Sequence, residues 1–204
     1  MRKLVLLILL LPFVQCDKTK TSNDMFLIGI FRPTLGMFGD SIMALWPAEE
    51  QLKPFVVVKN AFPVRKSSDI LYSIQTDQSR YHACIYNGGV NDFLGNFSPN
   101  QLAIESTVQN QIQALTSLQG KCDHILAINF WYVEFPWPTE AVLRLNQLMK
   151  ERINFVPRLD TEVMIKSSDL LDGGHLTDRG YQKLADKTLE HFETRIPWID
   201  FLPR

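Results

Sequence analysis

The sequence predicts an α/β protein, a three-layer α/β/α sandwich built on a five-stranded parallel sheet. Three observations carry that expectation. Five apolar runs of strand length lie along the chain, stretches with the period of a helix separate them, and the composition is that of an ordinary folded domain. The 204 residues are 46% hydrophobic and 21% charged, which excludes wholesale disorder. Lys and Arg total 21 against 22 Asp and Glu, so no basic excess exists to track phosphates, and nucleic acid is excluded as a partner. No long-period repeat or low-complexity tract points to a solenoid, coiled coil or collagen.

Taken in order, the first element stands apart from the domain. Arg2 and Lys3 precede an apolar run of eleven residues from Leu4 to Val14. A bilayer span needs roughly 17–25 apolar residues, so this run fits the central region of a secretory signal instead. Residues 1–16 are read as that signal, 17–32 as a linker and 33–204 as the folded domain. The stretch Phe13, Val14, Gln15, Cys16 has the outline of a bacterial lipobox, although Gln15 replaces the small residue expected before the Cys. Lipidation of Cys16 would tether the chain to a membrane of the cell envelope without spanning it, and cleavage nearby would secrete it. Loss of the leader removes two cations and no anion, leaving a mature net charge of −3.

The strand candidates are Thr34–Phe38, Phe55–Val58, Tyr81–Tyr86, His124–Trp131 and Thr161–Ile165. Near-continuous apolar runs of this length suit parallel strands buried on both faces. Helical stripes run through Ile104, Val108, Ile112 and Leu115, then Val142, Leu145, Met149 and Ile153. A third stripe runs through Tyr181, Leu184, Ala185, Thr188 and Phe192. Alternation of the two patterns implies right-handed crossovers, with reactive groups gathered beyond the carboxyl ends of the strands. Cys84 and Cys122 sit in or beside such runs and are expected to be free buried thiols. His82 and His124 fall at strand margins, and His191 is expected on a helix surface. No histidine or cysteine spacing suits a metal, and no cofactor is expected.

At the strand ends the chemistry is concentrated. Gly39, Asp40, Ser41, Ile42 follow the first run, Gly89, Val90, Asn91, Asp92 the third, and Asp172, Gly173, Gly174, His175 the fifth. Singly, Ser41 reads equally as a helix N-cap, Asn91 as a turn residue and Asp172 as an Asx-turn. Together and in this order the motifs resemble the SGNH hydrolases, the GDSL-type esterases and lipases, over roughly residues 33–195. The resemblance implies a flavodoxin-like α/β sandwich, a Ser41 nucleophile, His175 as its base and Asp172 as the partner of that imidazole. It also implies an oxyanion hole from the Ser41 N–H, the Asn91 amide and a backbone N–H at the position of Arg65. The family usually has a Gly there, and Asn60–Asp69 contains none.

Trp131–Pro138, rich in aromatics and proline, follows the fourth run. Trp131, Tyr132 and Trp137 are candidates for a substrate rim, with Glu134 solvated; a loop that merely covers the core edge reads the same way. The function implied is an exported serine esterase acting on acetyl or other acyl esters of glycans or lipids. The alternatives are a non-catalytic envelope binding protein on the same fold, suggested by the missing Gly, and a glycan O-acyltransferase.

Overall fold

A computed structural model describes residues 32–96 and 98–196. The signal, nearly all of the linker and Cys16 lie outside the described residues. Five parallel strands form one sheet in the order β2-β1-β3-β4-β5: β1 Thr34–Gly39, β2 Val56–Ala61, β3 Tyr81–Tyr86, β4 Cys122–Ile128 and β5 Arg158–Leu159. The helices are α1 Ser41–Leu45, α2 Ala48–Gln51, α3 Ser67–Thr76, α4 Gln101–Gln119, α5 Thr139–Arg152 and α6 Asp178–Glu193. Helix α4 packs between α3 and α5 in one outer layer, while α2 packs on α6.

Central strands β1 and β3 carry the buried apolar stripes expected of strands covered on both faces, including Leu35, Met37, Phe38, Ile85 and Tyr86. The three anticipated helical stripes bury Ile104, Val108 and Leu115 on α4, Val142 and Leu145 on α5, and Tyr181, Leu184 and Phe192 on α6.

Three expectations need correction, and one helix goes unread. The fifth strand is Arg158–Leu159, not Thr161–Ile165; the latter is a turn in which Ile165 N–H bonds Thr161 O and the buried Thr161 hydroxyl donates to Asn129 O. Helix α3, unread in the sequence, starts at Ser67, whose N–H is held by Asp92 from the loop after β3. Cys84 and Cys122 are not free thiols but form a disulfide with a Cα–Cα distance of 5.9 Å. Neighbouring parallel strands bring them within bonding range, which sequence spacing alone does not encode. His191 is half-buried against Phe192 rather than on the surface; burial, with Arg195 and His124 nearby, lowers its pKa to about 4.

Candidate active site

The carboxyl end of β1 breaks at Gly39, where a Cβ would lie 2.4 Å from Met43 Cγ and 2.5 Å from Asn87 O. Only glycine lets the chain turn that tightly into α1. Asp40 is the N-cap of α1, its side-chain Oδ1 accepting the Ile42 N–H at 3.0 Å. Ser41 is therefore not the cap. It is the first helical residue, its N–H has no intrahelical acceptor, and its hydroxyl is left for other work. From α6, the Tyr181 hydroxyl donates to Ile42 O at 2.9 Å and its ring stacks on Trp46, tying this short helix to the body.

Asp40 itself is fully buried, and its second oxygen has no partner among the described residues. Burial raises its pKa to about 7 against the opposing bond from Ile42, and the nearby Asp92 charge adds to the rise.

The loop after β5 brings the other two groups. His175 Nε2 lies 2.8 Å from Ser41 Oγ, and His175 Nδ1 lies 2.7 Å from Asp172 Oδ2. The other Asp172 oxygen accepts the backbone N–H groups of Gly174 and His175 at 3.1 and 2.8 Å, so the Asx-turn and the imidazole contact coexist. Burial works to raise the Asp172 pKa, but the hydrogen bonds from the His175 ring, its N–H and Gly174 outweigh it and leave the pKa lowered. An ionised Asp172 can only accept, so Nδ1 carries the proton and Nε2 is free to accept from the serine hydroxyl.

This loop is clamped on several sides. Gly173 adopts φ +88°, and a Cβ on Gly174 would fall 2.0 Å from the Trp137 ring. Trp137 meets His175 edge to face at a centroid distance of 4.9 Å and donates through Nε1 to Asp172 O. Trp131 is wholly buried and donates through Nε1 to Gly174 O at 2.8 Å. Both indoles lie behind the loop, so neither stands on the exposed rim anticipated for it; Tyr132 is the exposed one of the three. Glu134 is half-buried, its backbone N–H bonding Gly173 O. Upstream, buried Asp169 pairs with Arg179 and Lys183 of α6, fixing the other end.

Asn91, on the 3-10 turn Val90–Asp92, donates through Nδ2 to Arg65 O at 2.9 Å. That bond brings the two anticipated oxyanion loops together. One Asn91 amide proton and the Arg65 N–H make no hydrogen bond among the described residues. The Arg65 guanidinium bonds Asn60 O and Oδ1 at 3.2 and 3.0 Å and lies over the Phe62 ring, 4.4 Å from its centroid. Its side chain thus braces its own loop. The left-handed residue of this loop is Val64, φ +58°, one position before Arg65. A branched residue there costs on the order of 1–2 kcal/mol, so Val64 carries as strain what a glycine would supply freely.

A serine hydroxyl, a singly protonated imidazole and an ionised carboxylate in this sequence of contacts can generate a nucleophile, with unpaired N–H groups available to a developing oxyanion. Asp40 and the two tryptophans are the neighbours that sequence reasoning missed in these roles. The Gly-Asp-Ser order signals the cap, but nothing in the tryptophan-rich run signals which way it faces.

A search by sequence finds no matching family model and no matching curated protein. By structure, the chain is similar to a member of the lipolytic protein G-D-S-L family from Veillonella parvula. They share 16% identity and a TM-score of 0.64, over 78% of this chain and 97% of that one. A GDSL-like lipase from Bacteroides thetaiotaomicron matches with 16% identity and a TM-score of 0.64, over 80% of this chain and 89% of that one. A lipase/acylhydrolase from Enterococcus faecalis follows with 16% identity and a TM-score of 0.60, over 81% and 97%. Identities this low speak to architecture, and on that level the chain has the fold of the lipolytic G-D-S-L acylhydrolases.

Proposed function

We propose that the protein is a serine esterase that hydrolyses carboxylic esters through Ser41, His175 and Asp172. The observation that carries this reading is the unbroken chain of contacts from Asp172 through the His175 ring to the Ser41 hydroxyl. Ser41 Oγ attacks the ester carbonyl carbon while its proton passes to His175 Nε2. The tetrahedral oxyanion is met by the Ser41 N–H, the free Asn91 amide proton and the Arg65 N–H. Collapse releases the alcohol, which takes the proton from His175, and leaves an acyl-serine. Water then gives a proton to His175 and attacks the acyl carbon, and the proton returns to Ser41 as the acid departs. The Asp172 carboxylate stabilises the imidazolium in both halves. That the similar folds carry lipolytic and acylhydrolase names agrees with this chemistry.

The geometry favours turnover over mere binding, because the missing loop glycine is compensated by the left-handed Val64 and by the bond that holds Arg65 to Asn91. Export is part of the proposal: the leader reading and the Cys84–Cys122 disulfide both suit an oxidising compartment. Mass spectrometry of the native N-terminus decides between a lipidated Cys16 and simple cleavage. For the activity, purified protein is assayed on p-nitrophenyl acetate beside Ser41→Ala, with a fluorophosphonate label mapped by peptide. The expected result is loss of turnover and of label in the variant. A label on another serine, or an unchanged rate in Ser41→Ala, overturns the assignment.

A further inference from the structure

The two edges of the sheet differ. Strand β5 is two residues long, whereas β2 runs for six, with no strand paired to its outer side among the described residues. The Val56 N–H bonds Pro33 O and the Phe62 N–H bonds Gly39 O, so the even-numbered peptide groups of β2 face β1. By the alternation of a strand, those of Val57, Lys59 and Ala61 face outward along the open edge. Lys59, whose charge would discourage pairing there, is turned onto the face of the sheet. Its Nζ donates to Trp46 O at 2.6 Å and meets Glu49 at 2.9 Å. Beside the edge, between β2 and α3, lies a groove of about 660 Å³ bordered by Val58, Phe62, Tyr72 and Tyr81. Val58, Phe62 and Tyr72 are 41%, 55% and 68% exposed. The charged groups at its margin are engaged, Asp69 with the Lys66 N–H, Asp77 with the Tyr81 hydroxyl and Arg65 with Asn60, so none of them calls for a charged occupant.

We propose that residues 25–31, which lie outside the described residues, pair antiparallel with β2 as a sixth strand and lay their larger side chains in this groove. Their sequence, MFLIGIF, is six large apolar residues around one Gly, set between the polar stretch 17–24 and Arg32. Such a run is costly to leave in water and has the composition of a strand. Its position decides what it covers. Pro33 is fixed at the start of β2 by the Val56 bond, so the segment joins the domain at one end of the open edge. A strand outside β2 stands two strand spacings from β1, roughly 10 Å, which Phe31, Arg32 and Pro33 can cross at about 3.4 Å each. Residues 25–30 are then six against the six of β2. Alternation sets Phe26, Ile28 and Ile30 on one face and Met25, Leu27 and Gly29 on the other. The bulkier set goes to the groove, because α1 and α2 already pack on the opposite face of β2. The pairing also reverses where the preceding chain leaves the domain. Residues 17–24 depart beside the carboxyl end of β2, on the side of Ser41, rather than from the end where β1 begins.

Amide hydrogen exchange, followed by NMR on the isotopically labelled full chain, tests the pairing residue by residue. Val57, Lys59 and Ala61 should exchange about tenfold more slowly, or slower still, in the wild type than in the double variant Ile28→Asp, Ile30→Asp, because the sixth strand supplies their acceptors. Val58 and Asn60, bonded to β1, should be unchanged, which reports that the sheet itself is intact. Amide NOEs in the wild type should connect the segment to the outer side of β2, with Met25 near Ala61 and Ile30 near Val57. If the doubly charged variant fails to fold, Ile28→Pro interrupts the same ladder without adding charge and gives the comparison.

Equal exchange at Val57, Lys59 and Ala61 in the wild type and the variant overturns the inference. So does protection that grows with protein concentration and survives in the variant, which would mean a second copy on the edge. NOEs from the segment to Tyr72 with fast exchange at all three outward amides also overturn it, since the segment would then fill the groove without extending the sheet. The readout is separate from turnover. A protected edge without hydrolysis sinks only the esterase, and hydrolysis with an unprotected edge sinks only the sixth strand.

Discussion

Replacing Asp40 with Asn tests whether the residue beside the nucleophile is a neutral acid in the folded protein. Asn keeps an oxygen to accept the Ile42 N–H and cannot ionise. In the wild type, burial raises the Asp40 pKa from 3.8 to about 7. The unfolded chain therefore sheds this proton near pH 4 while the folded chain keeps it until about pH 7. Across that window the folded state binds more protons, so stability falls as pH rises. The loss approaches about 4 kcal/mol and is complete above the folded pKa. The wild-type curve alone will not reveal it. His191, lowered to about 4, acts in the opposite direction over much of the same range, because its unfolded form takes up the proton first. Asp77, Asp169 and Asp172, all lowered, add stability as pH rises from the acid side. These contributions cancel in the difference between the variant and the wild type. Urea unfolding at about pH 4, 6 and 8 should find Asp40→Asn close to the wild type at the lowest pH. At the highest it should be more stable by about 4 kcal/mol. A difference independent of pH would mean that Asp40 is ionised in the fold and the burial argument fails.

Three further perturbations separate the parts of the site. Asn91→Ala should lower kcat about a hundredfold or more through loss of an oxyanion donor, and should loosen the Arg65 loop by removing the bond to its carbonyl; a kcat within threefold of wild type refutes the donor role. Arg65→Gly keeps the backbone N–H but loses the brace to Asn60 and Phe62, so kcat on neutral and anionic esters alike should fall by less than tenfold. A selective rise of KM on anionic esters would instead make the guanidinium a substrate contact. Reducing the Cys84–Cys122 disulfide, or replacing both residues with Ala, should cost up to about 4 kcal/mol of stability, the chain entropy of a loop with sequence separation 38. Because Cys122 opens β4 at the end of the sheet far from Ser41, kcat measured well below the melting temperature should stay unchanged.

What the sequence revealed follows from how local each signal is. Ser41 and Asn91 could be read because each sits just past the apolar run of a true strand, and a parallel sheet sends such positions to one end. The Asp172–His175 pair was legible from its own Asp-Gly-Gly-His order, since the run before it, Thr161–Ile165, is a turn rather than a strand. Helix α3 could not be read, because Ser67–Asp69 looks like a polar loop until Asp92, distant in sequence, supplies its N-terminal acceptor. The disulfide depended on β3 and β4 being neighbours, which is a property of strand order and not of spacing. The short edge strand Arg158–Leu159 has too few residues for any period to register, whereas the turn after it imitates one with Thr161, Val163 and Ile165.

The tryptophans make a related point about catalysis. An aromatic, proline-rich segment beyond a strand has the same composition whether it faces substrate or props a loop. Here the deciding feature is Gly173–Gly174, where the absence of two β-carbons lets the backbone press against Trp137 and the Glu134 carbonyl. The His175 ring is then held on one side by Trp137 and at its two nitrogens by Asp172 and Ser41. On the proposed mechanism the residue that exchanges protons twice per cycle sits on a loop, yet its ring is contacted on three sides. In such a site a loop supplies the chemistry, and the packing behind it supplies the alignment.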